Sequence, residues 1–271
     1  MGILNVTPDS FSDGGRFLSR ETAVAHGREL AAQGADILDV GGESTRPGAE
    51  PVDPVEECAR VVPVIEELAA AGDVQVSVDT SKVEVARAAL DAGASYVNDV
   101  TAFRAEAGMA ALVAERGADC CLMHMKGQPR TMQDDPRYDD VVSEVKAFLA
   151  ERLAFAVAEG VPEERIHLDP GIGFGKTVEH NLELIRRLEE IAELGRPVVI
   201  GVSRKAFLGR ITGREVGERA VATAAGSALA WERGATIFRV HDVAPVRDAL
   251  AVAGATVGPP WAPTTQTSST S

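Results

Sequence analysis

Four polar residues of the sequence could do chemistry together: Asp79, Asn98, Asp169 and Lys205. Each follows a short apolar run that is typical of a buried strand. The carboxyl ends of parallel strands meet at one edge of a sheet, so these side chains could converge in one mouth. Partly buried charges are costly unless they are paired or hydrogen-bonded, and their natural partners are each other or a polar ligand. The sequence therefore predicts a polar pocket that contains two carboxylates, an amide and an amine.

A second group is cationic, although the chain carries a formal net charge of −14. It comprises Arg46, Lys205, Arg239 and His241. Strands seven and eight of a barrel are neighbours, and this edge frequently binds phosphate. Arginine offers a planar fork of donors to phosphate oxygens, and histidine can add a donor near neutral pH. We expect an anion-binding rim there, with surface salt bridges as the alternative.

Other polar residues after strands have structural explanations. Asp99 and Asp242 are interpreted as caps of the helices that follow them. Asp39 is either a loop anchor or part of the pocket, and His124 is expected to be structural. The glycine-rich segment 171–175 does not have the spacing of a dinucleotide fingerprint.

The elements that must position these residues are short apolar runs that alternate with helical patterns. Apolar residues spaced three or four apart, such as Leu184, Ile185, Leu188 and Ile191, indicate the helices. Eight strand–helix units predict one (β/α)8 TIM barrel over residues 1–258, with an open doubly wound sheet as the alternative. The runs are 2–6, 37–40, 74–78, 95–97, 120–123, 166–168, 198–200 and 236–240.

The two ends of the chain carry separate expectations. The segment 259–271 is rich in Pro, Thr and Ser, and we expect it to be disordered. The first run begins at Met1, which predicts a barrel floor without a plug unless helix side chains or residues upstream of Met1 cover it.

Composition narrows the class of protein. Only 4% of residues are aromatic while 45% are hydrophobic, so the core must be aliphatic, as suits parallel strands covered by helices. The acidic charge argues against nucleic acid or an anionic membrane as the main partner. No apolar run approaches the roughly 18 residues of a membrane span, and no signal peptide is visible. Cys120 and Cys121 should face opposite sides of a strand as packing residues, and we expect a cytoplasmic protein.

Seven segments together resemble the dihydropteroate synthase family. They occur in the family's order and span nearly all of the chain short of the tail. Each segment alone is weak evidence for the family, but the complete set is specific to it. The resemblance implies that p-aminobenzoate is joined to 6-hydroxymethyl-7,8-dihydropterin diphosphate with release of diphosphate. The segments are N-V-T-P-D-S-F-S-D-G-G (5–15), D-V-G-G-E-S-T-R-P-G (39–48), S-V-D-T (77–80), V-N-D-V (97–100), L-D-P-G-I-G-F-G-K-T (168–177), G-V-S-R-K-A-F-L-G (201–209) and R-V-H-D-V (239–243).

The resemblance implies that the pterin ring is bound in the deep part of the pocket. Asp169 would accept hydrogen bonds from the guanidine-like edge of the ring, which Asn98, Lys205 and Asp79 would also bind. Ionised Asp79 could stabilise positive charge as the bond from the methylene carbon to oxygen breaks. The resemblance thus gives Asp79, Lys205 and Arg46 catalytic roles, without a covalent enzyme intermediate.

The same resemblance implies how the other groups are bound. Arg239, His241 and Asn5 would hold the diphosphate together with the S-R-K segment that contains Ser203, and Mg²⁺ would bind Asn5 and phosphate oxygens. The benzoate-binding residues would be Thr45 and Arg46, which close over p-aminobenzoate, and Phe174, which packs on its ring.

Departures and alternatives remain open at this point. Ala206 stands where many relatives have serine, and T-A-F-R (101–104) replaces a stretch of small residues. A Schiff-base reaction at Lys205, a methyltransferase that acts with a corrinoid partner, and a binding module without turnover are the competing hypotheses. The alanine-rich helix 216–231 could pack on the barrel or form a dimer contact, and the resemblance favours a homodimer.

Overall fold

Eight parallel strands form one sheet in sequence order. The structure is a computed structural model that describes residues 1–7, 16–44, 50–127 and 131–257. One strand from each predicted unit is present, which confirms the α/β class. The strands are β1 (Gly2–Asn5), β2 (Ile37–Gly41), β3 (Gln75–Asp79), β4 (Tyr96–Asp99), β5 (Asp119–Met123), β6 (Ile166–Asp169), β7 (Val198–Ile200) and β8 (Ala235–Phe238).

The segment that follows β8 also contacts β1. Gly2 and Val240 form a parallel bridge. The N–H of Ile3 donates to the carbonyl of Val240 at 2.9 Å, and the N–H of Val240 donates to the carbonyl of Met1 at 2.9 Å. The sheet is therefore curled, and the architecture is TIM-barrel-like.

Helices separate the strands along the chain. The predicted helix 216–231 begins later than expected, because residues 216–218 form a short 3-10 turn before α9. The described helices are α1 (Arg16–Ala32), α2 (Pro54–Ala71), α3 (Val83–Asp91), α4 (Met109–Arg116), α5 (Val141–Ala158), α6 (Val178–Arg186), α7 (Leu188–Ala192), α8 (Ala206–Thr212), α9 (Ala220–Glu232) and α10 (Val243–Val257). Among the described residues, none of these helices is long and apolar enough to cross a membrane.

Local chemistry sets the ends of the helices. The Asp53 carboxylate accepts the N–H of Val55 at 2.9 Å at the start of α2, and Pro54 suits the first turn because its missing N–H would have no helical partner. Gly72 ends the same helix with φ of 73°, a conformation that favours glycine. At α6, the Thr177 hydroxyl and the His180 ring cap each other's backbone N–H groups. These caps fix where each loop leaves the sheet.

The core lies between the sheet and its helices, and a smaller cluster fills the sheet interior. Cys120 packs in the outer layer, whereas Cys121 packs inside with Met1, Tyr96 and Val199. The alternation of Cys120 and Cys121 is therefore as predicted for a strand. Met1 and strand side chains pack at the predicted floor, where the sequence had suggested helix side chains as one possible cover.

Candidate active site

The predicted pocket residues lie at or next to the carboxyl ends of their strands. Asp79 and Asp169 end β3 and β6, and Asn98 is the third residue of β4, paired in register with Asp79. Lys205 directly precedes α8. Asp79, Asn98 and Asp169 are 7%, 5% and 5% exposed, so each must find a partner inside the protein or in a ligand.

Asp39 joins several of these residues in one hydrogen-bonded network. One carboxylate oxygen accepts the hydroxyl of Ser77 at 2.6 Å, and the other accepts the amide of Asn98 at 3.0 Å and Nε of Arg239 at 2.6 Å. Nη2 of Arg239 then donates to Asp79 at 2.6 Å. Of the two interpretations of Asp39, the structure favours membership of the pocket over a loop anchor.

Arg239 lies deeper than the predicted rim. Its side chain is only 21% exposed, and it forms ion pairs with both Asp39 and Asp79. Two neighbouring buried carboxylates without a cation would be strongly destabilising, so the guanidinium lies between them rather than in solvent. The alternative interpretation of Arg239 as a surface salt bridge therefore does not hold.

The two strand-end carboxylates hold their protons more tightly than usual. Burial raises the pKa of Asp79 to about 7, although the neighbouring Arg239 opposes the shift, while Asp39 and Glu57 add repulsion. Burial also raises the pKa of Asp169, against the attraction of Lys205. Near neutral pH, Asp79 is therefore balanced between its charged and neutral forms, which is a property of functional sites.

Lys205 lies near enough to Asp169 for the two charges to interact. Burial lowers its pKa to about 8, and Asp169 opposes that shift. Its Nζ donates to the carbonyl of Ile172 and lies 4.8 Å from the centroid of the Phe174 ring. Lys205 thus connects the strand β7 edge to the loop that follows β6.

The glycine-rich loop 171–175 is a close-packed backbone wall. A Cβ on Gly171 would lie 1.8 Å from the carbonyl oxygen of His124, and a Cβ on Gly173 would lie 3.1 Å from Cδ of Lys205. Both glycines also have positive φ, of 67° and 82°. Phe174 packs against a cluster of Val100, Met123, Met125 and Met132. The loop is therefore shaped to bring backbone and an aromatic ring to the pocket.

A buried pair supports this loop from below and was missed by the sequence reasoning. Nζ of Lys176 lies 2.9 Å from Nδ1 of His124 and donates to the carbonyl of Phe174 at 3.0 Å. Burial lowers the pKa of His124 to about 2, so the ring is neutral, and it packs edge-on against Phe148. The geometry agrees with a structural His124. The signal for Lys176 was its place directly after the glycine loop.

The remaining rim residues form two local pairs. The hydroxyl of Ser203 lies 2.9 Å from Nδ1 of His241 and accepts the N–H of the same residue at 3.0 Å. Arg204 forms a two-bond ion pair with Asp242, at 2.9 Å and 2.5 Å. Asn5 ends β1 and is half-buried. Asp242 directly precedes α10, at the predicted cap position, and its described contact is this ion pair.

Asp99 was also misinterpreted. Its carboxylate accepts the N–H groups of Thr101 at 2.7 Å and Phe103 at 2.9 Å, which closes a turn. The next helix, α4, begins only at Met109. Asp99 therefore caps the turn that contains T-A-F-R rather than a helix.

The remaining predictions concern Thr45, Arg46, Ala206 and a metal site. Thr45 and Arg46 lie outside the described residues. Ala206 is the first residue of α8, as expected of a helix start. Within the described ranges, no cluster of three or more His, Cys, Asp or Glu side chains could hold a metal ion.

Comparison with known proteins gives a consistent result. A model of the family described as pterin binding enzyme matches residues 1–241. The dihydropteroate synthase of Escherichia coli (strain K12) is 46% identical over 257 residues, covering 95% of this chain and 91% of the relative. The solved dihydropteroate synthase of Xanthomonas albilineans with 4-aminobenzoic acid has a TM-score of 0.90 and 50% identity, covering 96% of this chain and 93% of that one. The Yersinia pestis enzyme, solved with a sulfonamide drug complex, has a TM-score of 0.89 and 42% identity, covering 94% and 93% of the two chains.

Proposed function

The chain belongs to the pterin-binding enzyme family, and from that premise we propose that the buried polar group at its strand ends is where the family's reaction takes place. The enzyme is a dihydropteroate synthase, a transferase of folate synthesis. It condenses p-aminobenzoate with 6-hydroxymethyl-7,8-dihydropterin diphosphate to give 7,8-dihydropteroate and diphosphate. The observation that carries the assignment of the site is the gathering of Asp79, Asn98, Asp169 and Lys205 at one edge of the sheet.

We assign the pterin ring to the deep part of this group. Asp169 is a buried carboxylate that can accept the two N–H donors of the guanidine-like edge of the ring. Asn98 can pair with a further polar edge, and Lys205 can donate to a ring nitrogen or oxygen. The lowered pKa of Lys205 and the raised pKa of Asp169 both reflect burial, so a polar ligand that satisfies both groups gains from their poor hydration.

The chemistry proceeds without a covalent enzyme intermediate. The bond between the methylene carbon and the diphosphate oxygen breaks, and its electron pair leaves with diphosphate. The amine nitrogen of p-aminobenzoate forms the new bond to carbon and then loses a proton to solvent. Ionised Asp79 stabilises the positive charge that develops on the pterin methylene, an effect that is strong in a water-poor site.

The diphosphate is assigned to the residues on the β7 and β8 side. Arg239 supplies guanidinium donors, and the linked pair of Ser203 and His241 supplies a hydroxyl and an imidazole. The half-buried amide oxygen of Asn5 at the end of β1 is a hard donor that fits Mg²⁺, which prefers few protein ligands plus substrate oxygens and water. When bound there, Mg²⁺ would neutralise charge on the leaving diphosphate.

The p-aminobenzoate ring is assigned to the face of Phe174, beside Lys205. Thr45 and Arg46 are proposed to complete this subsite. Arg46 is proposed to hold the benzoate carboxylate, since its guanidinium can bind a carboxylate through two bonds.

We further propose that the curled sheet is a closed (β/α)8 barrel. The bridge between Gly2 and Val240 supports closure, because it links β1 to the end of β8. Closure would surround the pocket with all eight strand ends and leave no exposed sheet edge.

A homodimer is proposed from the outer surface of the last helices. Val221 and Leu229 on α9 are 82% and 50% exposed, and Val252 on the adjacent α10 is 67% exposed. Large apolar side chains that share an exposed face are typical of interfaces. Light scattering at micromolar concentration should give twice the chain mass, and a monomer would reject the proposal.

The compartment is proposed to be the cytoplasm. The three cysteines Cys58, Cys120 and Cys121 are free thiols, as is usual in a reducing compartment. Fractionation of cells that express the chain would test this, and recovery outside the cytoplasmic fraction would refute it.

A condensation assay tests the function. Purified protein is given both substrates, and diphosphate release and dihydropteroate are measured with and without Mg²⁺. D169N is the control for the pterin subsite and should lose most of the activity. A sulfonamide should compete with p-aminobenzoate. Methyl transfer to a corrinoid without diphosphate release, or tight pterin binding without turnover, would favour the rival functions.

A further inference from the structure

Asp39 lies one layer below the residues that are assigned to the pterin. In the sheet it is paired with Ser77, whereas Asp79 is paired with Gly41, two residues further towards the carboxyl end. Two residues of strand correspond to about 6.6 Å. The side chain of Asp39 is 0% exposed. A ligand in the mouth would therefore meet Asp79, Asn98 and Arg239 before Asp39.

Every described contact of the Asp39 carboxylate is to a pocket residue or to Ser77, its neighbour in the same layer. Nε of Arg239 and the amide of Asn98 share one oxygen, and the hydroxyl of Ser77 binds the other. We infer that Asp39 is a positioning residue that fixes the orientation of Arg239 towards the diphosphate and of Asn98 towards the pterin. The inference rests on the proposed function of the site.

The two carboxylates that hold Arg239 are not equivalent. Asp39 holds the guanidinium at Nε, nearest its stem, and is completely buried. Asp79 holds Nη2 at the mouth. An arginine anchored at Nε can keep that bond while its outer nitrogens turn to phosphate oxygens. Asp39 therefore acts as the fixed anchor, and Asp79 as the partner that the substrate can replace.

Asp39 also acts on the charge of Asp79. The charged groups with the largest effect on the pKa of Asp79 are Arg239, which lowers it, and Asp39, Glu57 and Asp99, which raise it. Loss of the Asp39 charge removes one source of repulsion. The pKa of Asp79 should then fall, which extends its ionised form to lower pH.

The test compares D39N with S77A. In D39N, the amide oxygen can still accept from Arg239 and Asn98, and its NH₂ can donate to the Ser77 hydroxyl, so shape and bonding are kept while the charge is lost. S77A removes a hydrogen bond from the same buried layer but leaves the Arg239 anchor intact. Thermal unfolding confirms that both variants are folded.

D39N should raise KM for the pterin diphosphate and the inhibition constant of free diphosphate by about tenfold each, since a charge-assisted bond becomes a neutral one. KM for p-aminobenzoate should change by less than about twofold in both variants. The acidic limb of the pH profile of kcat/KM should move to lower pH in D39N but not in S77A. A purely structural role for Asp39 would not produce this shift.

The possible outcomes distinguish failure of the proposed function from failure of the inferred role of Asp39. Absence of diphosphate release by the wild-type enzyme would end the proposed function, whereas normal wild-type turnover with an unchanged D39N profile would end only the role of Asp39. Equal effects of D39N and S77A would also overturn that role. Should D39N fail to fold, a crystal structure of the wild-type enzyme with diphosphate decides: Nε of Arg239 should remain on Asp39, and its departure would contradict the inference.

Discussion

Replacing Asp79 with asparagine is predicted to stabilise the fold at alkaline pH while removing most of the activity. The pKa of Asp79 is raised from the usual 3.8 to about 7, chiefly because burial disfavours the charged form. Between these two values the folded state binds more protons than the unfolded state. Stability therefore falls as pH rises through this window, and the full cost is present above about pH 7.

The size of the stability change follows from the shift in the pKa of Asp79. Each pKa unit corresponds to about 1.4 kcal/mol, so ionised Asp79 costs the folded protein about 4 kcal/mol above pH 7. Asparagine removes that cost but also deprives Arg239 of one carboxylate, while Asp39 still holds Nε. We expect a net gain of about 1–3 kcal/mol in the free energy of unfolding at pH 8. The same change should lower kcat/KM by roughly 100-fold, through loss of charge stabilisation in the transition state.

Urea unfolding of wild type and D79N at pH 8 and pH 5 measures this effect. At pH 5 the folded carboxyl is mostly protonated but the unfolded one is still mostly ionised, so the stability of D79N relative to wild type should be about 2–3 kcal/mol less favourable than at pH 8. D140A is a control of opposite kind, because the partly exposed Asp140 caps α5 through the N–H of Ser143 at 2.7 Å, and its pKa is lowered to about 2. It should cost about 1 kcal/mol at both pH values. A D79N protein that is less stable than wild type at pH 8, or equally shifted at both pH values, would refute the reasoning.

Three further changes give separate expectations. Lys205→Met should raise KM for the pterin diphosphate by about 10- to 100-fold. Treatment of the wild-type enzyme with borohydride and substrate should leave no adduct on Lys205. A reduced adduct there would favour a Schiff-base reaction instead. Gly171→Ala should destabilise the fold by about 3 kcal/mol or more, because the added Cβ would lie 1.8 Å from the His124 carbonyl oxygen and the residue has φ of 67°. Gly217→Ala is the control in the same unfolding assay, because the space around Gly217 is open. Asn5→Ala should raise the Mg²⁺ concentration for half-maximal activity by about tenfold, and unchanged Mg²⁺ dependence would reject the assignment.

The sequence located the strands because burial on both faces produces apolar runs, and the polar residue that follows each run marks the end that carries the site. Asp79 and Asp169 were found in this way, and they do end β3 and β6. The partners of these residues were not predictable. Arg239 and Asp39 are 200 positions apart in sequence. Their contact depends on how the side chains are distributed between the layers of the sheet interior, which strand patterns do not reveal.

Two sets of contacts were not predicted, for a common physical reason. Arg239 was placed in the cationic rim group because strands seven and eight of a barrel frequently bind phosphate, and this reasoning neglects the cost of leaving Asp39 and Asp79 buried without a cation. Asp99 was expected to cap a helix because a carboxylate after a strand often does so. The backbone of Thr101 and Phe103 offered donors first, in a turn that residues 102 and 103 complete with φ of 54° and 61°. In both cases a nearby polar group required a partner, and the hydrophobic periodicity of the sequence does not reveal that requirement.

The placement of charge in the pocket matches the charge separation of the reaction. Heterolysis at the methylene gives a positive pterin and a negative diphosphate, so one site must favour opposite charges a few ångströms apart. The carboxylates of Asp39, Asp79 and Asp169 are buried at β2, β3 and β6, and Asp79 and Asp169 are the two that we assign to the pterin. Arg239 lies between them and the diphosphate side, bonded inward at Nε and Nη2. A guanidinium at the bottom of the pocket would oppose the developing cation, and one at the surface would be weakened by water. Under the proposed assignment, an intermediate depth, held by a buried carboxylate, allows the same cation to compensate the acids before substrate binds and to stabilise the leaving group during the reaction.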